Sequence, residues 1–331
     1  MLTLSICVVA YNEESFLPNL LEDIKLQKYP HEHTEIVLVN SMSTDDTRRI
    51  MEDFANSNTE FYAVQVLDNP KKTQAAGWNV AISGATGDVI ARIDAHTKLP
   101  AEYSKRVMEE IERGEDVVGG VRPCVIENET AWGKVLLETE NSLFGSSINK
   151  SRRSQEKTYV KTMFHAAYRK EVFEKVGLFN ESLLRTEDNE MHYRIREAGY
   201  KLCYDPSIVS YQYARSNLKR MLKQKYGNGK WVGITLKVCP GCLSLYHFVP
   251  FCFLLGIIAT TAFAFFGLWQ LAALMWGAYL LFTLLSMAIV IINGDGNRWT
   301  FCMPILFLIL HLGYGAGTAI GLLTMHKKRK K

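Results

Sequence analysis

Between Leu243 and Leu323 the only Asp, Glu, Lys or Arg residues are Asp295 and Arg298, and the remainder is mostly Leu, Ile, Ala, Phe and Gly. A helix needs about 20 apolar residues to cross a bilayer. A charge held at mid-membrane costs about 2.5–3.5 kcal/mol on insertion scales. Leu243–Leu268, Leu271–Ile292 and Phe301–Leu323 each meet the length requirement, so the pattern predicts three spanning helices rather than a buried soluble core. Composition changes at about residue 240, because before it apolar segments alternate with polar ones. Residues 1–235 are therefore expected to form one domain, residues 243–323 a membrane domain, and residues 324–331 a basic tail.

Lys219, Arg220, Lys223, Lys225, Lys230 and Lys237 precede the first span, as the positive-inside rule asks of a cytoplasmic flank, and they can hold anionic headgroups. Leu218, Met221, Leu222 and Tyr226 recur at helical spacing, which predicts an amphipathic helix over about 216–230, lying on the membrane or packed on the first domain. No basic leader precedes the first apolar run, and Tyr11-Asn12-Glu13-Glu14 interrupts it, so residues 1–235 are expected to stay in the cytoplasm. Three spans from that start would put the basic tail His326–Lys331 outside, against the same rule. The last segment, with Pro304 and Gly313, Gly315, Gly317 and Gly321, is the one able to form a re-entrant or interfacial helix, although the same glycines suit close helix packing. Seven scattered cysteines fit a reducing compartment better than a disulfide framework. Cys239-Pro240-Gly241-Cys242 reads as a turn at the membrane junction.

In the first domain short apolar runs alternate with amphipathic segments of helical length, the mark of a parallel sheet wrapped by helices. Strands are expected at Leu4–Ala10, Glu35–Asn40, Phe61–Leu67 and Asp88–Ile93, with helices at Glu14–Leu26, Thr44–Ala55 and Gln74–Ser83. Ligands bind such sheets outside the carboxyl ends of the strands, where Tyr11-Asn12-Glu13, Asn40-Ser41-Met42-Ser43 and Asp94-Ala95-His96 all fall. A carboxylate and an imidazole at Asp94 and His96 are potential metal ligands, and the imidazole shifts preference from Mg²⁺ toward Mn²⁺ or later metals.

Taken together, these segments resemble the family 2 inverting glycosyltransferases over about residues 3–231. The carriers are Val8-Val9-Ala10-Tyr11-Asn12-Glu13-Glu14, Val39-Asn40-Ser41-Met42-Ser43-Thr44-Asp45-Asp46-Thr47 and Ala76-Gly77-Trp78-Asn79-Val80-Ala81-Ile82, followed by Gly84-Ala85-Thr86-Gly87-Asp88 and the Asp94 triplet. Phe164–Phe173, Gly177–Glu181 and Thr186-Glu187-Asp188-Asn189-Glu190 continue the same order. The resemblance implies a GT-A fold, a Rossmann-like mixed sheet of the nucleotide-diphospho-sugar type, followed here by transmembrane helices. It implies donor binding by Ala10, Tyr11, Asn12, Glu13, Asn40, Ser41, Lys72 and Asp94, and a divalent Mn²⁺ or Mg²⁺ ion on Asp94 and His96. Asp188 is then the base, and His165, Glu187, Lys230 and Trp231 lie on the acceptor side. Two departures are Ala10 for the usual proline and Asn40 for an acidic residue that normally contacts uracil. The Asp94-Ala95-His96 form is similar to a subgroup of bacterial exopolysaccharide glucosyltransferases.

Inverting transfer needs one carboxylate to take a proton from the attacking hydroxyl and a second centre to stabilise the leaving diphosphate, and Asp188 and the Asp94–His96 pair divide those roles. Lys71 and Lys72 can meet a diphosphate. The loop Gly145–Lys157, with Lys150, Arg152 and Arg153, can close over a donor or meet a lipid-linked acceptor. Gln224-Lys225-Tyr226-Gly227-Asn228-Gly229-Lys230-Trp231 departs from the Gln-x-x-Arg-Trp motif of processive polymerases, which favours single addition. The expectation is a multi-pass enzyme of the cytoplasmic membrane that moves a sugar, glucose first, from a UDP-sugar to a polyprenyl-diphosphate-linked saccharide. No nucleic-acid partner is expected. The alternatives are a polyprenyl-phosphate sugar synthase and a catalytically silent sugar-nucleotide-binding subunit.

Overall fold

The computed structural model describes residues 1–126, 129–142, 144–145, 154–213 and 217–324. The loop residues Lys150, Arg152 and Arg153 and the basic tail from His326 lie outside the described residues. The chain forms two compact units, Met1–Pro123 with Lys150–Tyr213, and Cys124–Asn149 with Ala214–Lys331.

The first unit runs β1 (Leu4–Ala10), α1 (Leu17–Lys25), β2 (Thr34–Asn40), α2 (Thr47–Asn56), β3 (Ala63–Asp68), α3 (Gln74–Gly84), β4 (Val89–Asp94), β5 (Thr97–Lys98), α4 (Tyr103–Glu112) and β6 (Val117–Val121). After a passage through the second unit, which holds β7 (Cys124–Val125) and α5 (Ala131–Asn141), it resumes with β8 (Thr158–Val160), β9 (Ala167–Arg169), α6 (Lys170–Val176), α7 (Glu187–Glu197), β10 (Leu202–Val209) and β11 (Tyr211–Tyr213). The main sheet is eight-stranded and mixed, in the order β3-β2-β1-β4-β9-β6-β10-β8. β3, β2, β1 and β4 are mutually parallel, while β9 runs antiparallel between β4 and β6. This is the mixed α/β GT-A-like architecture that the resemblance implies, where the alternation of segments alone predicts a parallel sheet.

Strands covered on both faces read as continuous apolar runs, and β1, Leu-Ser-Ile-Cys-Val-Val-Ala, does so because each face meets its own core. Leu4, Ile6, Val8 and Ala10 join Leu17, Leu20, Met51 and Val107 under α1, α2 and α4. Cys7 joins Trp78, Ala81, Val172 and Met191 under α3, α6 and α7. One carboxylate is nevertheless set into this sheet. Glu35 of β2 is buried and accepts hydrogen bonds from the Ser5 hydroxyl at 2.6 Å, the Gln65 amide at 2.9 Å and the Thr86 backbone N–H at 2.8 Å. It thereby ties three strands to the turn before β4.

In the second unit, α8 (Leu218–Thr235), α9 (Val249–Phe265), α10 (Trp269–Ile292) and α11 (Met303–Leu323) follow one another. Among the described residues three helical stretches are long and apolar enough to cross a membrane: Leu245–Phe265, Trp269–Ile292 and Thr300–Leu323. The amphipathic segment expected to close the first domain at residue 235 is α8, and it groups with these apolar helices. Its Met221 enters a cluster with Val135 and Leu136 of α5 and Leu306, Phe307 and Leu310 of α11.

Glu35→Ala strands several buried donors at once. Each unmet group costs about 1–3 kcal/mol, so the variant is expected to lose at least about 3 kcal/mol. A thermal melt in detergent measures this, and an unchanged midpoint would show that the network contributes little.

Candidate active site

Because β1 to β4 are parallel, their carboxyl ends share one edge of the sheet, and the turns leaving that edge are strained. Asn12, Met42 and Lys72, which follow β1, β2 and β3, have φ of 54°, 58° and 58°. His165 at 46° and Thr186 at 142° precede β9 and α7. These are the only non-glycine residues with positive φ among the described residues. Such conformations cost about 1–3 kcal/mol each and persist where surrounding contacts enforce them. The contacts here are specific. The Asn12 side-chain oxygen accepts from the Thr44 N–H at 2.8 Å, the Glu13 N–H donates to the Thr47 hydroxyl at 2.8 Å, and the Ser41 N–H donates to the Ala10 carbonyl at 2.8 Å. The first two motifs are thereby laced into one surface, with Ala10 and Ser41 buried, Tyr11 half exposed and the Lys72 side chain exposed.

Asp94 ends β4 as the hub of a polar cluster. One carboxylate oxygen lies 3.2 Å from His165 Nε2 and 3.7 Å from the Arg122 guanidinium, and the other accepts from the Gln74 amide at 3.3 Å. Burial alone would raise its pKa, but the His165 hydrogen bond and the charges of His165, His96 and Arg122 hold it far below the usual carboxylate range. His165, expected on the acceptor side, is placed against Asp94 instead. It is buried, its Nδ1 lies 2.8 Å from the Ser210 hydroxyl, and its carbonyl accepts from Tyr103 at 2.9 Å. Burial pushes its pKa down despite Asp94, and its ring orients the carboxylate.

His96 stands beside this cluster with Nδ1 3.3 Å from a Glu13 carboxylate oxygen and Nε2 2.9 Å from the Gln212 amide. Burial lowers its pKa, and the hydrogen bond His96 donates to Glu13 together with the charges of Asp94 and Glu13 more than reverses this. Two carboxylates thus draw positive charge onto one imidazole. Among the described residues the one set of three donors already within metal-binding distance of one another is elsewhere, at Glu110, Glu115 and Cys203. There Lys157 reaches both carboxylates and Arg113 also pairs with Glu110.

Two residues before Asp94 on the same strand, and so on the same face, is Arg92. Its guanidinium lies 4.4 Å from the centres of both the Trp78 and Phe179 rings and donates to Asp188 at 2.8 Å. The two side chains are 7 % and 25 % exposed. Asp188 sits in the first turn of α7. Its neighbour Glu187 is buried with a carboxylate oxygen on the Thr186 N–H at 2.9 Å. Burial and then the Asp188 charge push Glu187 up, well above the ordinary glutamate range.

Asn40 is 2 % exposed; its oxygen accepts from the Ser43 N–H at 3.0 Å and its amide donates to Asp68 at 3.4 Å. It shapes the loop and holds Asp68, whose carboxylate also takes the Arg48 guanidinium at 2.7 Å. Lys71, adjacent to Lys72, pairs with Glu181 at 2.6 Å. Lys230 and Trp231 belong to α8 of the second unit. The motifs did not single out Arg92, Arg122, Gln212 or Asp68. For Arg92 a signal existed, since Val-Ile-Ala-Arg-Ile places a lone charge in an otherwise apolar central strand.

A family model described as glycosyl transferase family 2 matches residues 5–177. The succinoglycan biosynthesis protein ExoA of Rhizobium meliloti is 28 % identical over 325 residues, covering 94 % of this chain and 92 % of that protein. A dolichyl N-acetyl-alpha-D-glucosaminyl phosphate 3-beta-D-2,3-diacetamido-2,3-dideoxy-beta-D-glucuronosyltransferase of Methanococcus voltae is 28 % identical, covering 77 % and 80 %. Among solved structures, a mannosyltransferase from Pyrobaculum calidifontis, in complex with GDP-Man and Mn²⁺, superposes with a TM-score of 0.58 over 97 % of this chain and 87 % of its own at 18 % identity, a likeness of fold.

Removing Arg92 leaves Asp188 without its partner. Loss of one member of a buried pair costs about 3–5 kcal/mol, so Arg92→Met is expected to lower the melting temperature sharply, and Arg92→Met/Asp188→Asn to recover part of the loss. Equal melting of the single and double variants would refute the coupling.

Proposed function

The chain belongs to glycosyl transferase family 2 and is a glycosyltransferase, and from that premise we propose that it is a membrane-anchored inverting enzyme. It moves a sugar from a UDP-sugar, glucose first, to a polyprenyl-diphosphate-linked saccharide in bacterial exopolysaccharide or cell-surface glycan synthesis. The observation that carries this reading is the division of one strand between two stations: Arg92 holds Asp188 at 2.8 Å, and two residues on Asp94 anchors a polar cluster with His165 and Arg122. The relative with succinoglycan in its name matches along nearly the whole chain, which supports a polysaccharide context.

Asp188 accepts the proton of the acceptor hydroxyl as that oxygen attacks the anomeric carbon, and the bond from that carbon to the diphosphate oxygen breaks on the opposite face. The charge on Arg92 holds Asp188 in place during this step. The residues around Asp94 fit a divalent cation, because Asp94, His96 and Glu13 supply two carboxylates and an imidazole, and the carboxylates already attract a proton to that imidazole. When bound, such an ion supplies charge neutralisation for the leaving diphosphate. Tyr11, Asn12 and Lys72 edge the donor surface. With Asn40 turned inward, Asp68 is the carboxylate available for a base edge.

Asp188→Asn is expected to lower turnover by about 10²- to 10⁴-fold, with donor binding retained. The measurement is UDP release by the detergent-purified chain, given UDP-glucose, Mn²⁺ and a bacterial lipid extract. Retained turnover would reject Asp188 as the base. Chromatography of the lipid product separates an extended saccharide from a sugar on a bare polyprenyl phosphate, and the latter product would replace this reading.

Metal binding needs a neutral imidazole. Because the His96 pKa is raised above its ordinary value of about 6.5, its proton competes with the ion below that raised value. Mn²⁺ affinity is therefore expected to climb as pH rises from about 6 to 8, and to lose most of this slope in His96→Gln. Titration of free Mn²⁺ by electron paramagnetic resonance measures it, and a flat wild-type profile would remove His96 from the donor set.

A further inference from the structure

Helices α8 and α11 run side by side and in step. Leu222 meets Gly313, the Tyr226 carbonyl faces Gly317 and the Lys230 carbonyl faces Gly321, each so closely that a Cβ on the glycine would overlap it. Gly229 and Gly233 approach the carbonyls of Tyr314 and Thr318 in the same way. Glycines at such positions let helix backbones touch. The contacts advance together along both helices, which makes the helices parallel, and Lys237 closes the pair by donating to the carbonyls of Leu322 and Thr324.

α8 carries Lys219, Arg220, Lys223, Lys225 and Lys230 and no acidic residue. Gly313 is the midpoint of α11, so Lys223, next to Leu222, and Lys225, within one helical turn of it, lie close to the level of its centre. Were α11 to cross a bilayer, α8 would carry these charges into the hydrocarbon at about 2.5–3.5 kcal/mol each. Lys225 is paired with Glu140 of α5 at 2.9 Å, but the side chains of Lys219, Arg220 and Lys223 are exposed.

The other neighbours of α11 agree. α9 and α10 form an antiparallel hairpin in which Phe253 stacks on Tyr279 at 4.4 Å and Thr260 reaches Met275. Along α11, Met303 and Leu306 cluster with Met287 and Val290 near the end of α10, His311 Nδ1 lies 3.0 Å from the Tyr279 hydroxyl, and Gly315 abuts Pro250 in the first turn of α9. At 1.5 Å per residue, a third span laid along α10 would continue toward Trp269. Instead α11 passes the first turn of α9 and spends its second half on α8. The hairpin tip stays bare, with Phe265, Phe266 and Leu274 exposed by 86 %, 82 % and 72 %.

We propose that α11 is no third crossing. It lies with α8 across the base of the α9–α10 hairpin, as a layer at the bilayer surface whose Lys219, Arg220 and Lys223 meet anionic headgroups. The hairpin alone crosses, twice, and Thr324 returns to the side on which α8 begins. The basic residues that follow Thr324 in the sequence then share a side with the basic flank before the first span, as the positive-inside rule requires.

Single cysteines at Lys219→Cys, Gln270→Cys and Thr324→Cys in the full chain, treated in sealed cells with a membrane-impermeant maleimide and compared with the parent chain, test this without recourse to activity. Thr324→Cys is expected to behave as Lys219→Cys does, protected until lysis, while Gln270→Cys labels from outside. Labelling of Thr324→Cys together with Gln270→Cys, and not with Lys219→Cys, would overturn the proposal, as would protection of all three. A fluorescent reporter fused after Lys331, which matures only in the cytoplasm, gives an independent reading should a cysteine variant fail to fold. Its fluorescence is expected, and its absence at normal expression counts against the proposal.

Discussion

A guanidinium withdrawn from water has to find charge and aromatic faces inside the protein, and Arg92 finds both, with Asp188 on its edge and Trp78 and Phe179 on its planes. The requirement reaches outward from there. Trp78 fixes the face that α3 turns to the sheet, Phe179 fixes the loop before α7, and Asp188 fixes the first turn of α7 itself. Asn79 braces the arrangement by exchanging hydrogen bonds with the backbone of Phe179 at 2.8 and 3.0 Å. Since side chains two apart on a strand share a face, Asp94 is presented from the same side of β4 as the residue that holds Asp188.

The parallel half of the fold was legible because β1, β2 and β4 are apolar runs buried on both faces and α1 and α2 are amphipathic, which sets them apart by period. β1 begins and ends at the residues expected, and β2, β3 and β4 fall within two residues of theirs. The short strands β8, β9 and β11 were not legible, since three residues offer no period to read. The passage from β6 through α5 and back was equally hidden, because nothing in the composition of residues 124–149 announces that they leave the sheet for the helical unit.

The site was legible as motifs and less so as roles. Asp94, His96, Glu13 and Asp188 were recognisable from residue type and position at strand or helix ends. What motif reading could not supply was the partner of each group. The resemblance puts His165 on the acceptor side, and the contacts of its ring to Asp94 and Ser210 could not be read from it. Asn40 looked like a base reader, yet its amide is committed to Ser43 and Asp68. Side-chain commitments of this kind depend on contacts between segments far apart in the chain, and no local pattern encodes them.

The left-handed residues at the edge of the sheet bear on how freely that edge can vary. Asn12, Met42 and Lys72 occupy backbone conformations that a glycine would adopt freely and a β-branched residue would resist. Each therefore carries its side chain at a standing conformational expense. Glycine at position 42 or 72 would ease the backbone there and leave the buried core beneath untouched, so this edge of the sheet can exchange side chains without repacking the interior.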